Sequence, residues 1–352
     1  MTDLPDLQLN ASAAWRSRPL ATFALFAFNQ QDFVREAVRA ALAQTYRPIE
    51  IILSDDASSD RTFEIMEEEA KACPADVCLI LNRNDQNLGI GNHINKVVGM
   101  SRGEILVLAA GDDISLPHRT QVSVDALLAD SQNRLALHGT VTNVDAFGIK
   151  LHDRWNPHRA IVDCPEAVLE NDAYLTGSSV AVRRSMYTDF PKLNADVVNE
   201  DKVTAFRCAL FGGAIYLNQP VTMYRAGVGV STLQGQVLRG REDPTLESRY
   251  IRTNISRRLS VMRQVQVDAG SAALISRMTP TLRARINDMV ASLARVLRFV
   301  DSPTLSGLPA LFASGGFNRK TLKIATGFLA PRIYRHYKLV RQCNTFKKVP
   351  PA

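Results

Sequence analysis

A chain of 352 residues with 46% apolar and 22% charged residues can bury a full core, which excludes a disordered or fibrous class. Its net charge of +7 is uneven: residues 281–352 hold 13 Lys/Arg against 2 Asp/Glu, so residues 1–280 are net acidic and the basic end suits an anionic membrane surface, a nucleic acid or plain solvent. Five cysteines without Cys-x-x-Cys or zinc-type His spacing, no signal-peptide pattern and no run of about 18 apolar residues point to a reduced, cytoplasmic protein that at most lies against a membrane.

Residues 1–17 are polar and are expected to be poorly ordered. The apolar run 22–28 predicts a buried strand, and apolar residues at 33, 34, 37, 38, 41 and 42 predict the helix behind it. Residues 49–53 predict a second strand, opening into an acidic, serine-rich loop before a helix with Phe63, Met66, Ala70 and Cys73 on one face. A third short strand is expected over 77–81, followed by the polar stretch 82–95. There Gly89-x-Gly91 reads as a turn needing small residues rather than a phosphate cradle, and His93 as a packed or solvent-facing histidine. Residues 104–109 predict the next strand, 135–141 a half-exposed strand, 152–163 a loop over the site, 176–183 a strand and 215–224 a final strand. Beyond about 243 the pattern is helical only. Thr279-Pro280 opens a helix with apolar residues at 282, 286, 289, 293, 296 and 300. The last segment interleaves aromatic and aliphatic residues with cations, as an interfacial helix does.

Three acidic clusters carry the candidate chemistry. Gly111 stops the 104–109 strand so that Asp112 and Asp113 emerge at its carboxyl end, where two adjacent carboxylates suit a divalent cation; a solvated Gly-Asp-Asp turn is the plainer account. Asp55 and Asp56 leave the second strand before the helix-capping residues Ser58, Ser59 and Asp60, in position for a base or ribose. Glu200 and Asp201 begin a helix, where the macrodipole favours them and where a general base would also stand on a rigid element.

Taken in order, Phe26-Ala-Phe-Asn29, Leu42-Ala-Gln-Thr-Tyr46, Asp55-Asp56-x-Ser-Ser-Asp60, Asn87-Leu-Gly89, Gly103-Glu-Ile-Leu with Gly111-Asp-Asp113, Thr176-Gly-Ser-Ser179, Glu200-Asp201 with Arg207, and Tyr224-Arg225 resemble the family 2 glycosyltransferases. The resemblance spans residues 20–230 and implies an α/β fold of the GT-A (Rossmann-like, nucleotide-sugar-binding) type over 18–235. A basic helical extension over 236–352 follows it. It implies Ala27, Asn29, Asp55, Asp56 and Asn87 as donor contacts, Asp112 with its neighbour Asp113 at Mg²⁺ or Mn²⁺, Asp201 as catalytic base and Glu200 as its companion near the acceptor. The implied reaction is inverting transfer from a nucleotide-diphosphate sugar to a glycan or lipid-linked acceptor, with an anionic membrane surface as a further partner and no nucleic acid. Two departures stand out: Ala110 replaces the first acidic residue of the family's Asp-x-Asp, and residues 226–231 lack the histidine many relatives carry. A scaffold that kept the fold and lost turnover is the competing reading, which Ala110 favours. A nucleotidyltransferase is the third, and residues 29–32 lack the basic glycine loop it needs.

Overall fold

The computed structural model describes residues 17–154, 162–170, 173–228, 244–272 and 274–315. The expectations for residues 1–16, for the loop residues 155–161 and for the basic segment past 315 fall outside these. The chain divides into two compact units, the first Met1–Gly229 with Val267–Met278 and the second Val230–Gln266 with Thr279–Ala352. The first unit thus takes back a short piece of the helical extension.

In the first unit the chain alternates β1 (Ala21–Ala27), α1 (Val34–Leu42), β2 (Ile49–Asp55), α2 (Thr62–Ala70), β3 (Cys78–Arg83), α3 (Gly89–Met100) and β4 (Ile105–Ala110). β1 and β2 are buried along their whole length, which is why they read as unbroken apolar runs rather than as an alternation. β5 (Ile114–Ser115), α4 (Arg119–Ala129), β6 (Ala136–Val144), β7 (Lys150–Arg154), α5 (Pro165–Glu170), β8 (Ala181–Arg183), α6 (Ser185–Thr188), α7 (Glu200–Ala209) and β9 (Ile215–Arg225) complete it. The strands form one nine-stranded sheet in the order β3-β2-β1-β4-β8-β6-β9-β5, with β7 paired to β6. β1 is parallel to both β2 and β4, and β2 is parallel to β3, so these four strands end at one edge. β8 is antiparallel to β4 and to β6, and β6 is parallel to β9, so β6 and β9 run toward that same edge. The strand order reverses between β1 and β4, the place where an open α/β sheet leaves a crevice.

Three differences from the sequence reading have physical causes. Gly89-x-Gly91 opens α3 rather than a simple turn, because the N–H groups of Leu88 and Gly89 at its start are taken by the Asp56 carboxylate, 2.9 and 3.0 Å away, a cap supplied from the end of β2. Residues 152–154 extend a hairpin strand against β6 instead of opening a loop. Residues Gly177–Ser179 form a 3-10 turn, and only Ala181–Arg183 of the predicted strand pairs with β4.

The core packs α1 (Val34, Ala37, Val38, Ala41) against Phe23, Leu25, Ile51, Leu53 and Val107. The entry to β4 is tied down by polar contacts: buried Glu50 accepts from the N–H of Arg102 at 2.6 Å, and the Gly103 N–H donates to Thr22 Oγ1 at 3.0 Å. A methyl on Gly103 would stand 2.5 Å from the Thr22 backbone nitrogen and 2.8 Å from the Ala21 carbonyl carbon. Gly103→Ala is therefore expected to cost about 1–3 kcal/mol through overpacking against backbone. Gly99→Ala, in α3 with nothing within 4 Å, should be neutral or stabilise by roughly 0.5–1 kcal/mol. Urea midpoints of the two variants check both values, and equal midpoints would refute the packing argument.

The second unit is helical where described. α8 (Pro244–Ala269) begins in it, α9 spans Pro280–Asp301 and α10 spans Leu308–Gly315. Thr279 caps α9, its hydroxyl accepting from the Leu282 N–H at 3.1 Å, with proline at the first helical position. Phe299, Val300 and Leu311 make its core with Ile255, Val296 and Phe312. Among the described residues, no helix is long and apolar enough to cross a membrane.

Candidate functional site

The loops that leave β1, β2 and β4 are laced together at the carboxyl edge. Asn29 adopts a left-handed conformation (φ 50°), its N–H donating to Ser58 Oγ at 2.8 Å and its Oδ1 accepting from the Ser59 N–H at 2.9 Å. Buried Ala27 contributes its carbonyl, which accepts from the Asp56 N–H at 2.9 Å. Ala57 is left-handed as well (φ 59°), a conformation that alanine adopts only under constraint. These bonds hold the β1 and β2 loops as one rim.

Asp55 and Asp56 both face inward. Asp55 accepts from the Ser58 N–H at 2.9 Å and from the Ser58 hydroxyl, with Arg83 Nε 3.7 Å away. Asp56 accepts from Asn84 Nδ2 at 2.7 Å besides capping α3. Asn87 is exposed, its Oδ1 accepting from the Gly89 N–H at 3.0 Å. Asp55, Asp56 and Asn87 thus shape the same rim as Ala27 and Asn29, the other residues expected on these loops. His93 is buried beside them, its Nε2 2.6 Å from Ser54 Oγ and its ring edge-on to Phe26, and burial pushes its pKa down. Gly91 owes its size to a close approach, since a methyl there would meet the Asn194 carbonyl oxygen at 2.4 Å.

At the end of β4 the Gly111 N–H donates to the Phe26 carbonyl at 2.8 Å, and a methyl on Gly111 would lie 2.5 Å from Gln30 Oε1. This close approach brings the Asp112–Asp113 turn against the β1 loop at the reversal point of the strand order. Asp113 is buried, its Oδ1 accepting from the Arg225 N–H at 3.0 Å. Burial, then the neighbouring Asp112, pushes its pKa up to about 8. Asp112 is half-buried and also raised by burial, with the Gln30 side chain among its hydrogen-bond partners.

Sequence reading gave Arg225 no role, yet it braces this turn. Its Nη1 donates to the Asp112 carbonyl at 2.8 Å, its Nη2 pairs with Glu36 of α1, and its guanidinium lies 5.1 Å above the Phe33 ring. The signal available in sequence was its place in Tyr224-Arg225, one of the pieces of the family resemblance, at the end of the last expected strand.

Glu200 and Asp201 occupy the first turn of α7, where Asp201 Oδ1 accepts from the Lys202 N–H at 2.9 Å. A methyl on Gly177 would sit 3.4 Å from Asp201 Cβ and 3.5 Å from its Oδ2, so the acid lies against the 3-10 turn. That turn continues directly from the β4 pairing, where the Leu108 N–H donates to the Val180 carbonyl at 3.2 Å, and it is fixed to β9 by the Thr222 hydroxyl donating to the Ser178 carbonyl at 3.0 Å. Residues 177–179 therefore run alongside the end of β4 toward the edge that carries Asp112, and Asp201 comes with them.

Burial, then the adjacent Asp201, pushes Glu200 up from 4.5 to about 8, and burial raises Asp201 as well. Between those two values the folded chain keeps a proton on Glu200 that the unfolded chain has released, so stability falls as pH rises through that window. Glu200→Gln should accordingly lose less melting temperature than the wild type between pH 5 and 8. Asp113 leaves part of the slope in place, since it titrates in the same direction. Parallel melting curves for the two proteins would contradict the burial of Glu200.

The donor set can be weighed for a metal ion. No group of three or more His, Cys, Asp or Glu side chains gathers among the described residues. Asp113 spends one oxygen on Arg225 inside the fold, which leaves Asp112 as the carboxylate on the rim. One hard oxygen ligand suits a Mg²⁺ or Mn²⁺ ion completed by a diphosphate and water, rather than an ion held by protein alone.

A Rossmann-like sheet with an acidic carboxyl edge and a carboxylate pair on a separate helix start defines the class: a nucleotide-sugar-binding fold of the GT-A type. Residues 22–190, just under half of the chain, match the model for "Glycosyl transferase family 2". An uncharacterised protein of Mycobacterium tuberculosis (strain ATCC 25618 / H37Rv) is 29% identical over 204 residues, 56% of each chain. The putative glycosyltransferase EpsE of Bacillus subtilis (strain 168) is 27% identical over 134 residues, 38% of this chain and 47% of that one. The chain thus spans about half the length of the curated relatives it matches. Two solved structures share the fold. S. aureus TarS 1-349 in complex with UDP-GlcNAc is 13% identical, with 94% of this chain and 93% of that one covered and a TM-score of 0.53. The mannosyltransferase PcManGT from Pyrobaculum calidifontis, in complex with GDP-Man and Mn²⁺, is 18% identical, with 94% and 88% covered and a TM-score of 0.50.

Proposed function

We propose that this protein transfers a sugar from a nucleotide-diphosphate donor to a glycan or lipid-linked acceptor, with inversion at the anomeric carbon. The observation that carries the proposal is that the Gly177–Ser179 turn, against which Asp201 lies, runs into β8 beside the end of β4, the strand that Asp112 follows. In this reading the β1 and β2 loops, with Ala27, Asn29, Asp55, Asp56 and Asn87, form the wall against which the nucleoside lies. The acceptor hydroxyl gives its proton to the Asp201 carboxylate while its oxygen bonds to the anomeric carbon. The bond from that carbon to the diphosphate breaks in the same step, and the nucleoside diphosphate leaves. A carboxylate whose pKa is raised by burial is a stronger base than a free one, which suits Asp201 to the first of these tasks. Asp112 would hold a divalent ion that, when bound, neutralises charge on the departing diphosphate. Mannosyl and N-acetylglucosaminyl donors enter as first choices because the two fold neighbours were solved with GDP-Man and UDP-GlcNAc.

Release of nucleoside diphosphate from a panel of nucleotide sugars, with and without Mn²⁺, tests the proposal. Metal-dependent release from at least one donor supports it. Binding of donor without release or transfer supports the scaffold reading, which Ala110 and the inward-turned Asp113 favour.

A further inference from the structure

We infer that the tip of the β6–β7 hairpin inserts into the headgroup layer of an anionic bilayer and holds the acidic edge of the sheet against the membrane. Phe147, Ile149 and Leu151 are 87%, 64% and 53% exposed, three apolar side chains within five residues of a tight turn. The turn is closed on itself: Asp145 Oδ1 accepts from the N–H groups of Phe147 and Ile149, both at 2.9 Å. The Asp145 carbonyl accepts from the Gly148 N–H at 3.1 Å, and the Ile149 carbonyl accepts from the Asp145 N–H at 3.0 Å. Gly148, at φ +81°, makes this closure possible. Three successive backbone donors are therefore satisfied inside the tip, which removes the main penalty for moving such a loop out of water.

The position of the hairpin sets its use. β6 runs parallel to β9, with Val144 beside Arg225 in the register, and the Ala226 N–H donates to the Val144 carbonyl at 3.0 Å. Arg225 in turn bonds the Asp112 carbonyl and the Asp113 carboxylate. The apolar tip thus leaves the sheet at the same edge as the acidic turn, one strand away from Arg225. Three side chains fall short of the ~800 Å² per partner that a stable protein interface needs, whereas a bilayer asks only for a few apolar groups and a cationic attraction. The cationic attraction is written in the sequence, where residues 281–352 hold 13 Lys/Arg against 2 Asp/Glu. This inference rests on the reading of the acidic edge as the transfer site, and it makes the acceptor a molecule anchored in the membrane.

Cosedimentation of the full chain with phosphatidylcholine vesicles, with and without phosphatidylglycerol, provides the test. The wild type should bind the anionic vesicles, and the double variant Phe147→Ser, Ile149→Ser should bind at least tenfold more weakly. The Phe147→Trp variant should shift its emission to the blue on those vesicles, beyond any shift of the wild type, and be quenched by brominated lipid. Unchanged sedimentation of the double variant, no vesicle binding by the wild type, or no added blue shift from the Phe147→Trp variant overturns the inference. So does a wild-type dimer that the double variant converts to monomer while vesicle binding stays the same. Melting shifts with nucleotide diphosphate and Mn²⁺ are measured on the same samples: their persistence in the double variant separates failure of the membrane contact from failure of the transferase reading.

Discussion

Asp268→Ala is expected to destabilise the first unit by about 3–5 kcal/mol, because it leaves a guanidinium uncompensated in the interior. Arg207 and Asp268 have side chains 1% and 0% exposed and meet through two bonds, Nε to Oδ2 at 2.7 Å and Nη2 to Oδ1 at 2.9 Å. Arg207 also donates to the carbonyls of Met186 at 3.1 Å and Pro191 at 2.8 Å and stacks 5.1 Å from the Phe190 ring. It therefore fastens α7, which carries Glu200 and Asp201, to the segment before it and to the end of α8. Desolvating both ions costs nearly what their attraction returns, so Arg207→Met with Asp268→Leu should lose much less than either single change. The exposed pair Arg252–Asp301, at 56% and 39% exposure, is the control: Arg252→Ala should cost about 0–1 kcal/mol. Urea unfolding of these variants reads the values, and single and double changes that simply add would contradict a coupled buried pair.

The second large effect falls on turnover. Asp201→Asn should lower kcat by about 10²–10⁴-fold, the range for loss of a positioned general base. The donor KM should hardly move, because a general base acts on the acceptor hydroxyl rather than on the donor. Stability should hold or rise, since the amide carries no charge to bury. In the wild type the rate should fall toward acid as Asp201 takes up a proton, with a midpoint above the ordinary Asp value of 3.8 because burial raises its pKa. A variant with near wild-type kcat, or one whose loss appears only in KM, would remove Asp201 from the role.

What the sequence disclosed follows from where each signal resides. β1, β2 and β4 are central parallel strands, and their runs of apolar residues carry the message locally. The Gly-Asp-Asp turn was legible because the apolar run breaks at Gly111. α3 was not legible, since its sequence opens with two glycines and an asparagine and its cap comes from Asp56, 33 residues upstream. β5 is two residues long and exists only through its pairing with β9, whereas β8, three residues long, falls inside the strand expected over 176–183. Asp55, Asp56 and Asp113 looked like free ligands because sequence does not reveal which distant N–H groups claim their oxygens. The partner of Arg207 lies 61 residues away, and that of Arg225 lies 189 residues away, beyond any periodicity.

The proposed transfer depends on the acidic edge holding a diphosphate through a divalent ion on Asp112. The direct measurement is the melting temperature of the wild type and of Asp112→Asn with UDP or GDP, each with and without Mn²⁺, since a ligand that binds only the folded chain raises it by mass action. The wild type should melt several degrees higher when nucleotide and metal are both present, with Asp112→Asn losing most of that rise. No rise with any nucleotide diphosphate and metal, or an equal rise in Asp112→Asn, would contradict it.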